Sequence, residues 1–130
     1  MSRNVFTEYD PTNVNVTTTN ETVVCTLPGV STGRKSTVFL EGWLQFTTGA
    51  NTTALTARIR RGTTIAGTLV CEATAQELAA AAGGDEEISI NGEDPGVDLS
   101  GATYVLTIQA TAASADGTAL QSKLEASVGR

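Results

Sequence analysis

Histidine is absent from the 130 residues. The commonest proton shuttle and zinc ligand is therefore missing, and catalysis would have to run on carboxylates, hydroxyls, lysine or one of two cysteines. That excludes most familiar hydrolase and metalloenzyme mechanisms, and neither an enzymatic activity nor a cofactor or metal is expected. Positive charge is also scarce, with eight Lys and Arg against fourteen Asp and Glu and a formal net charge of −6. Phosphate-backbone binding needs clustered positive charge, so nucleic acid is not an expected partner. No apolar run approaches the roughly eighteen residues of a membrane helix, so no membrane partner is expected. The opening, Met1 to Glu8, lacks the apolar stretch of about 7–15 residues found in a secretory signal, which points to synthesis in a cytoplasm. Cys25 and Cys71 fit no metal or redox spacing. In a reducing compartment they read as buried free thiols, with a disulfide as the alternative. Aromatics are few: one Trp, two Tyr and three Phe.

What the chain has in quantity is threonine, 22 residues, alongside 13 glycines. Threonine is stiff at χ1 and suits the solvent face of a pleated sheet, while glycine supplies turns between short strands. The composition reads as all-β. At 13.4 kDa the chain is one domain. Residues 1–12, rich in polar residues with scattered Val5, Phe6 and Tyr9, read as an N-terminal arm, and 13–130 as the folded domain.

Turn signals then recur at the spacing of a sandwich. Glu21 to Leu27 alternates Val23, Cys25 and Leu27, and Pro28-Gly29 closes it. From Ser36 to Thr48 one phase carries Val38, Leu40, Gly42, Leu44 and Phe46, the other Phe39, Glu41, Trp43, Gln45 and Thr47. The first phase is the expected core face. Leu55, Ala57 and Ile59 alternate next, then a tight hairpin at Arg61-Gly62-Thr63 leads to Ile65, Gly67, Leu69 and Cys71. Thr74-Ala75-Gln76-Glu77 fits a capping box and Gly83-Gly84 a stop, predicting one short helix over 75–82. A strand from Glu86, a loop over 91–96, and strands carrying Tyr104, Leu106, Ile108, Ala110 and then Leu120, Leu124, Val128 complete the chain. Eight strands with no βαβ alternation predict an antiparallel eight-stranded jelly-roll sandwich, with an immunoglobulin-like sandwich as the alternative.

The hairpin Ala57 to Thr68, the run Leu99 to Ala110 and the close Leu120 to Ala126 resemble jelly-roll proteins of bacteriophage virions, in particular capsid decoration (cement) proteins with a tumour-necrosis-factor-like jelly roll. The resemblance covers about residues 20 to 128. It implies a structural protein without chemistry: a homotrimer made in the host cytoplasm that binds the major capsid protein on the outer capsid surface, at threefold or quasi-threefold positions, and stabilises the shell. The alternative is a receptor- or carbohydrate-binding tip of a tail or head fibre.

Phe39 and Trp43 fall on the phase opposite the core in a chain poor in aromatics, and grouped outward aromatics mark interfaces. They are the expected trimer anchors, joined by Lys123 and Glu125 of the last strand. A β-bulge returning Trp43 to the core, or cover from the arm or helix, are the alternatives. Val5, Phe6 and Tyr9 of the arm are candidate capsid contacts by strand addition, and three tethered arms would gain avidity. Arg58, Arg60 and Arg61, the one basic cluster, are a further candidate capsid contact, with a solvated strand face as the plain alternative. The acidic stretches Asp85-Glu86-Glu87 and Glu93 to Asp98 do not match a calcium loop.

Overall fold

The period-two pattern is realised over most of the strands and is broken where bulges add residues. The computed structural model describes residues 4–16, 20–48, 53–78, 85–110 and 117–129, and among these every regular element is a strand. There are nine: β1 Val5–Asp10, β2 Val14–Val16, β3 Thr22–Val30, β4 Ser36–Thr48, β5 Thr53–Arg61, β6 Thr68–Leu78, β7 Asp85–Val97, β8 Ala102–Ala110 and β9 Gly117–Gly129. The first sheet runs β1-β9-β4-β7 with β2 also on β9, and the second runs β3-β8-β5-β6. All pairings are antiparallel.

Pro11 explains why the first position holds two strands instead of one. Proline has no N–H for the ladder, so pairing with β9 stops after Asp10 and resumes at Val14. With β1 and β2 sharing one position, the eight positions are those of the expected jelly roll. Outside the β5–β6 hairpin, each successive position lies on the other sheet.

Except in β3, where a bulge between Val23 and Cys25 buries Val24 instead of Val23, and at Leu120 of β9, the core lies where the alternation places it. Val38, Leu44 and Phe46 of β4, Leu55, Ala57 and Ile59 of β5, Tyr104, Leu106 and Ile108 of β8, and Leu124 of β9 are all completely buried. Gly42 keeps this phase without a side chain because the sheets close over it. A Cβ there would come 2.9 Å from Ile90 Cγ2 and 3.0 Å from Leu106 Cδ1.

Several expectations are corrected. Where the structure describes the predicted helix, the chain is extended: β6 reaches Leu78, and Gln76, Glu77 and Leu78 pair with Leu55, Ala54 and Thr53. The rest of that segment, 79–84, lies outside the described residues. Helix propensity differs by only about 0.7 kcal/mol per residue among ordinary residues, and an isolated short helix is marginal, so a β5 ladder outcompetes it. The loop expected over 91–96 is the second half of β7, which carries Pro95 at a sheet edge and passes a register shift near Gly96, whose φ is 65°. β3 does not end at Pro28-Gly29 but bulges through them to Val30. The hairpin is not tight: residues 62–67 connect β5 to β6, Ile65 falls in that connection, and Leu69, on β6, is exposed. A register shift opposite Gln45/Phe46 makes Leu120 the extra residue, so Ala119 takes the buried place.

Candidate functional site

The outward face of the first sheet gathers most of the residues singled out from the sequence. Pairing of β4 with both neighbours is unbroken from Val38 to Gln45, so no bulge turns Trp43 inward. Phe39, Glu41, Trp43 and Gln45 stay on one face. Opposite them on β9 stand Ser127, Glu125, Lys123 and Gln121, and on β7 Glu93, Asn91, Ser89 and Glu87. Lys123 and Glu125 are therefore direct cross-strand neighbours of Trp43 and Glu41.

β1 extends this face. Val5, Thr7 and Tyr9 pair with Ser127, Glu125 and Lys123, and Val5 and Tyr9 are about half exposed, at 54% and 51%. The expected arm is thus, over Val5–Asp10, a strand of the sheet, ordered along β9. Phe6 points the other way and packs against the core. Val5 and Tyr9 join the Phe39–Trp43 set, and Phe6 does not.

A ribbon of polar contacts crosses three strands beside Trp43. The Tyr9 hydroxyl donates to Gln121 Oε1, and Gln121 Nε2 donates to Gln45 Oε1 at 2.7 Å. Thr7 Oγ1 donates to Glu125 Oε2 at 3.5 Å, and Lys123 Nζ stands 3.9 Å from the same carboxylate oxygen. Phe39 and Trp43 are half-buried. The Phe39 ring lies over Gly129 so closely that a Cβ there would sit 2.4 Å from its Cε2. Two adjoining hollows open on the face. One of about 370 Å³ is lined by Trp43, Ser89, Asn91 and Lys123, the other of about 460 Å³ by Phe39, Gly92, Glu93 and Ser127. Glu41 and Glu125 border both.

The arginines lie elsewhere, on β5 of the second sheet, and their charges are met within the chain. Glu21 accepts from Arg60 Nε at 2.7 Å, from Arg60 Nη2 at 2.9 Å and from Arg58 Nη1 at 3.3 Å, while Thr107 Oγ1 donates to it at 2.6 Å. Arg58 also bonds Glu72 at 2.6 Å and Gln109 at 2.6 Å. Burial alone would raise the Glu21 carboxyl. The hydrogen bonds from Arg60 and Thr107, with the charges of Arg60 and Arg58, outweigh it and hold the group below its ordinary 4.5. Arg61 turns to the first sheet and donates to Asp94 Oδ2 at 2.8 Å.

Sequence reasoning passed over Glu21 and Asp94 as partners of these arginines, since no local pattern signals a pairing across 37 or 33 residues. Cys25 and Cys71 are free thiols, Cys25 buried and Cys71 half-buried. Burial pushes the Cys25 thiol up to about 11. Among the described residues no group of three or more Cys, Asp or Glu is placed to hold a metal ion.

No protein-family model and no curated protein matches the sequence. Solved structures do match the fold. VP2 in a subviral particle of infectious bursal disease virus superposes with a TM-score of 0.67 at 16% identity, over 97% of this chain and 32% of that one. T=1 particles derived from the same virus give 0.69 at 16% identity, over 97% and 31%. At such identities the likeness establishes the fold alone. The chain spans about a third of the length of those viral proteins. Dimeric latent PorU from Porphyromonas gingivalis also matches, with a TM-score of 0.58 at 8% identity, over 98% of this chain and 13% of that one. Chains as unlike as VP2 and PorU therefore share this fold, and function must be argued from this chain's own surface.

Proposed function

We propose that this chain is a non-catalytic structural protein of a phage virion: a homotrimeric decoration protein that binds the major capsid protein on the outer capsid surface, at threefold or quasi-threefold positions, and stabilises the shell. The observation that carries the reading is the outward face of β1, β9, β4 and β7. It places Val5, Tyr9, Phe39 and Trp43 together on a side of the sandwich that a solitary jelly roll would cover with polar groups. Removing roughly 50 Å² of remaining apolar surface per aromatic in an assembly contributes about 1 kcal/mol each, a modest contact that threefold repetition multiplies. The fold likeness to chains of icosahedral virus particles supports the virion setting.

A clamp across subunit joints slows local opening of a shell under internal pressure, and its benefit is kinetic. The test mixes the purified protein with mature heads lacking it, pellets the heads, and measures co-sedimentation and heat resistance. Binding together with a raised inactivation temperature is expected. Heads that neither retain the protein nor gain resistance end the reading.

A second reading, a receptor- or carbohydrate-binding tip of a tail or head fibre, draws on the hollow beside Trp43. An indole flanked by Glu41, Asn91 and Lys123 offers a stacking surface with polar groups at its rim. Saturable glycan binding that Trp43→Ala abolishes would favour it over the clamp.

A further inference from the structure

The outward face carries an uneven charge pattern along β4. Its middle is acidic: Glu41 stands directly opposite Glu125, and Glu93 directly opposite Phe39, with Lys123 the cation nearest to Glu125. Like charges placed directly opposite on neighbouring strands disfavour the sheet. Its end is basic. Arg34 and Lys35, both exposed in the turn before β4, line a third hollow of about 430 Å³ with Thr37, Gly96 and Gly129, just beyond the Phe39 ring.

Among the described residues, Arg58, Arg60, Arg61 and Lys123 all have ion-pair partners, whereas Arg34 and Lys35 have none. Neither pairs with the acidic strip of its own chain. From Thr37 to Glu41 the strand advances about 13 Å at roughly 3.3 Å per residue, which puts Glu41 and its neighbour Glu125 beyond the span of a lysine or arginine at the turn, and Glu93, opposite Phe39, is nearer but is not engaged by either. The two halves of the pattern can be matched between chains.

We propose that a second copy of this chain seats its Arg34–Lys35 turn on the strip formed by Glu41, Glu93 and Glu125, between the apolar contacts of Phe39 and Trp43. The inference rests on the self-association reading and gives it a geometry. Donor turn and acceptor strip are different patches, so each copy offers one of each. Repeated head-to-tail, the contact closes into a ring when successive copies are related by a third of a turn, as a trimer requires, whereas two copies that exchange both contacts stop at a dimer, and the sedimenting mass tells the two apart. The pairing also sets which copy faces which, because a wrongly rotated neighbour brings acidic strip against acidic strip.

Sedimentation velocity at low micromolar concentration tests it on the full chain. The wild type is expected to be an oligomer whose dissociation constant rises at least tenfold between low and high salt. Reversal of the turn (Arg34→Glu with Lys35→Glu) and of the strip (Glu41→Lys with Glu93→Lys) should each weaken assembly at least tenfold. All four changes on one chain should restore it, which separates lost pairing from lost folding. An oligomer indifferent to either reversal, or a fourfold variant that stays dissociated, overturns the pairing while leaving self-association intact. A wild type that is monomeric throughout overturns the self-association reading itself.

Discussion

Tyr104 donates a 2.7 Å hydrogen bond to Asp94 Oδ2, the same oxygen that Arg61 holds at 2.8 Å. Tyr104 is on β8, Arg61 on β5 and Asp94 on β7, so one carboxylate ties the second sheet to the first. The phenol is wholly buried and Asp94 nearly so, and no buried side-chain N or O atom among the described residues lacks a partner. A hydrogen bond to a charged group contributes about 1.5–3 kcal/mol. Tyr104→Phe should lower unfolding free energy by about 1.5 kcal/mol, since Arg61 remains on the carboxylate. Asp94→Ala should cost about 3 kcal/mol, because both donors lose their acceptor. Urea unfolding followed by Trp43 fluorescence checks the order, and equal losses would contradict the shared-acceptor arrangement.

The same contact fixes a response to alkali. Burial, then the hydrogen bond and charge of Asp94, push the Tyr104 phenol well above its ordinary 10, against the smaller opposing effect of Arg61. Above pH 10 the unfolded chain releases this proton while the folded chain keeps it. Stability from the neutral phenol is therefore complete below that pH and falls as pH rises past it. Cys25 adds a slope of the same sign beginning near its ordinary 9 and levelling near 11. Urea midpoints measured from about pH 8 upward should decline. Tyr104→Phe should flatten the limb above pH 10, and Cys25→Ala the limb that begins lower.

The readable part of this molecule was whatever depends on period two. Val38 to Phe46 obeys strict alternation, and its phase alone places the β4 core residues and leaves Phe39 and Trp43 outside; Tyr104, Leu106, Ile108 and Ala110 are buried as their phase predicts, but Val105 and Thr107 of the other phase are buried too. Wherever a bulge adds a residue, alternation misleads, which is why Leu120 was expected inside and Ala119 was not. Local helix signals at Thr74–Glu77 lost to a partner strand that no nearby residue announces. The four expected trimer residues share one face because sheet order brings β9 beside β4, yet the addition of Val5 and Tyr9 required knowing that β1 lies on the far side of β9.

Glu21 should govern the acid limb of stability. Its carboxyl is held below its ordinary 4.5, so its contribution is fully present above that pH and is lost as pH falls through the lower folded value. Glu21→Gln leaves two arginines, each with only 17% of its side chain exposed, short of their shared anion. Breaking a buried pair costs several kcal/mol, and partial solvent access reduces this to about 2 kcal/mol here. Thermal unfolding at neutral pH should reveal that loss, and the variant should be less sensitive than the wild type to acid below pH 4.5. A variant with the wild-type acid profile would show that Glu21 carries none of it.

Where the β6 and β7 edges meet, Gly92 faces Cys71. A Cβ at 92 would lie 2.5 Å from the Cys71 Cβ and 2.7 Å from its Sγ, so the two strands or the thiol must shift to admit it. Gly92→Ala should therefore cost about 1–3 kcal/mol by overpacking. Cys71→Gly removes the opposing atoms, so the double variant should be less destabilised than the two single losses added together. Strict additivity in chemical denaturation would show that the two positions do not collide.

Trp43 separates folding from assembly. Its side chain lies on the outward face, half-buried among Lys123, Ser89 and Asn91, and contributes nothing to the interior between the sheets. Trp43→Ala removes only cross-strand contacts on the outer face, so it should lower monomer stability by about 1–2 kcal/mol, well short of the cost of truncating a core aromatic. The interface loses its largest apolar anchor, and truncating a central aromatic commonly costs 2 kcal/mol or more of association, roughly thirtyfold in affinity per contact. Light scattering or gel filtration at low micromolar concentration should show a smaller species with an unchanged circular dichroism spectrum. An unaltered oligomer mass, with folding equally unaltered, would move the contact between copies off this face.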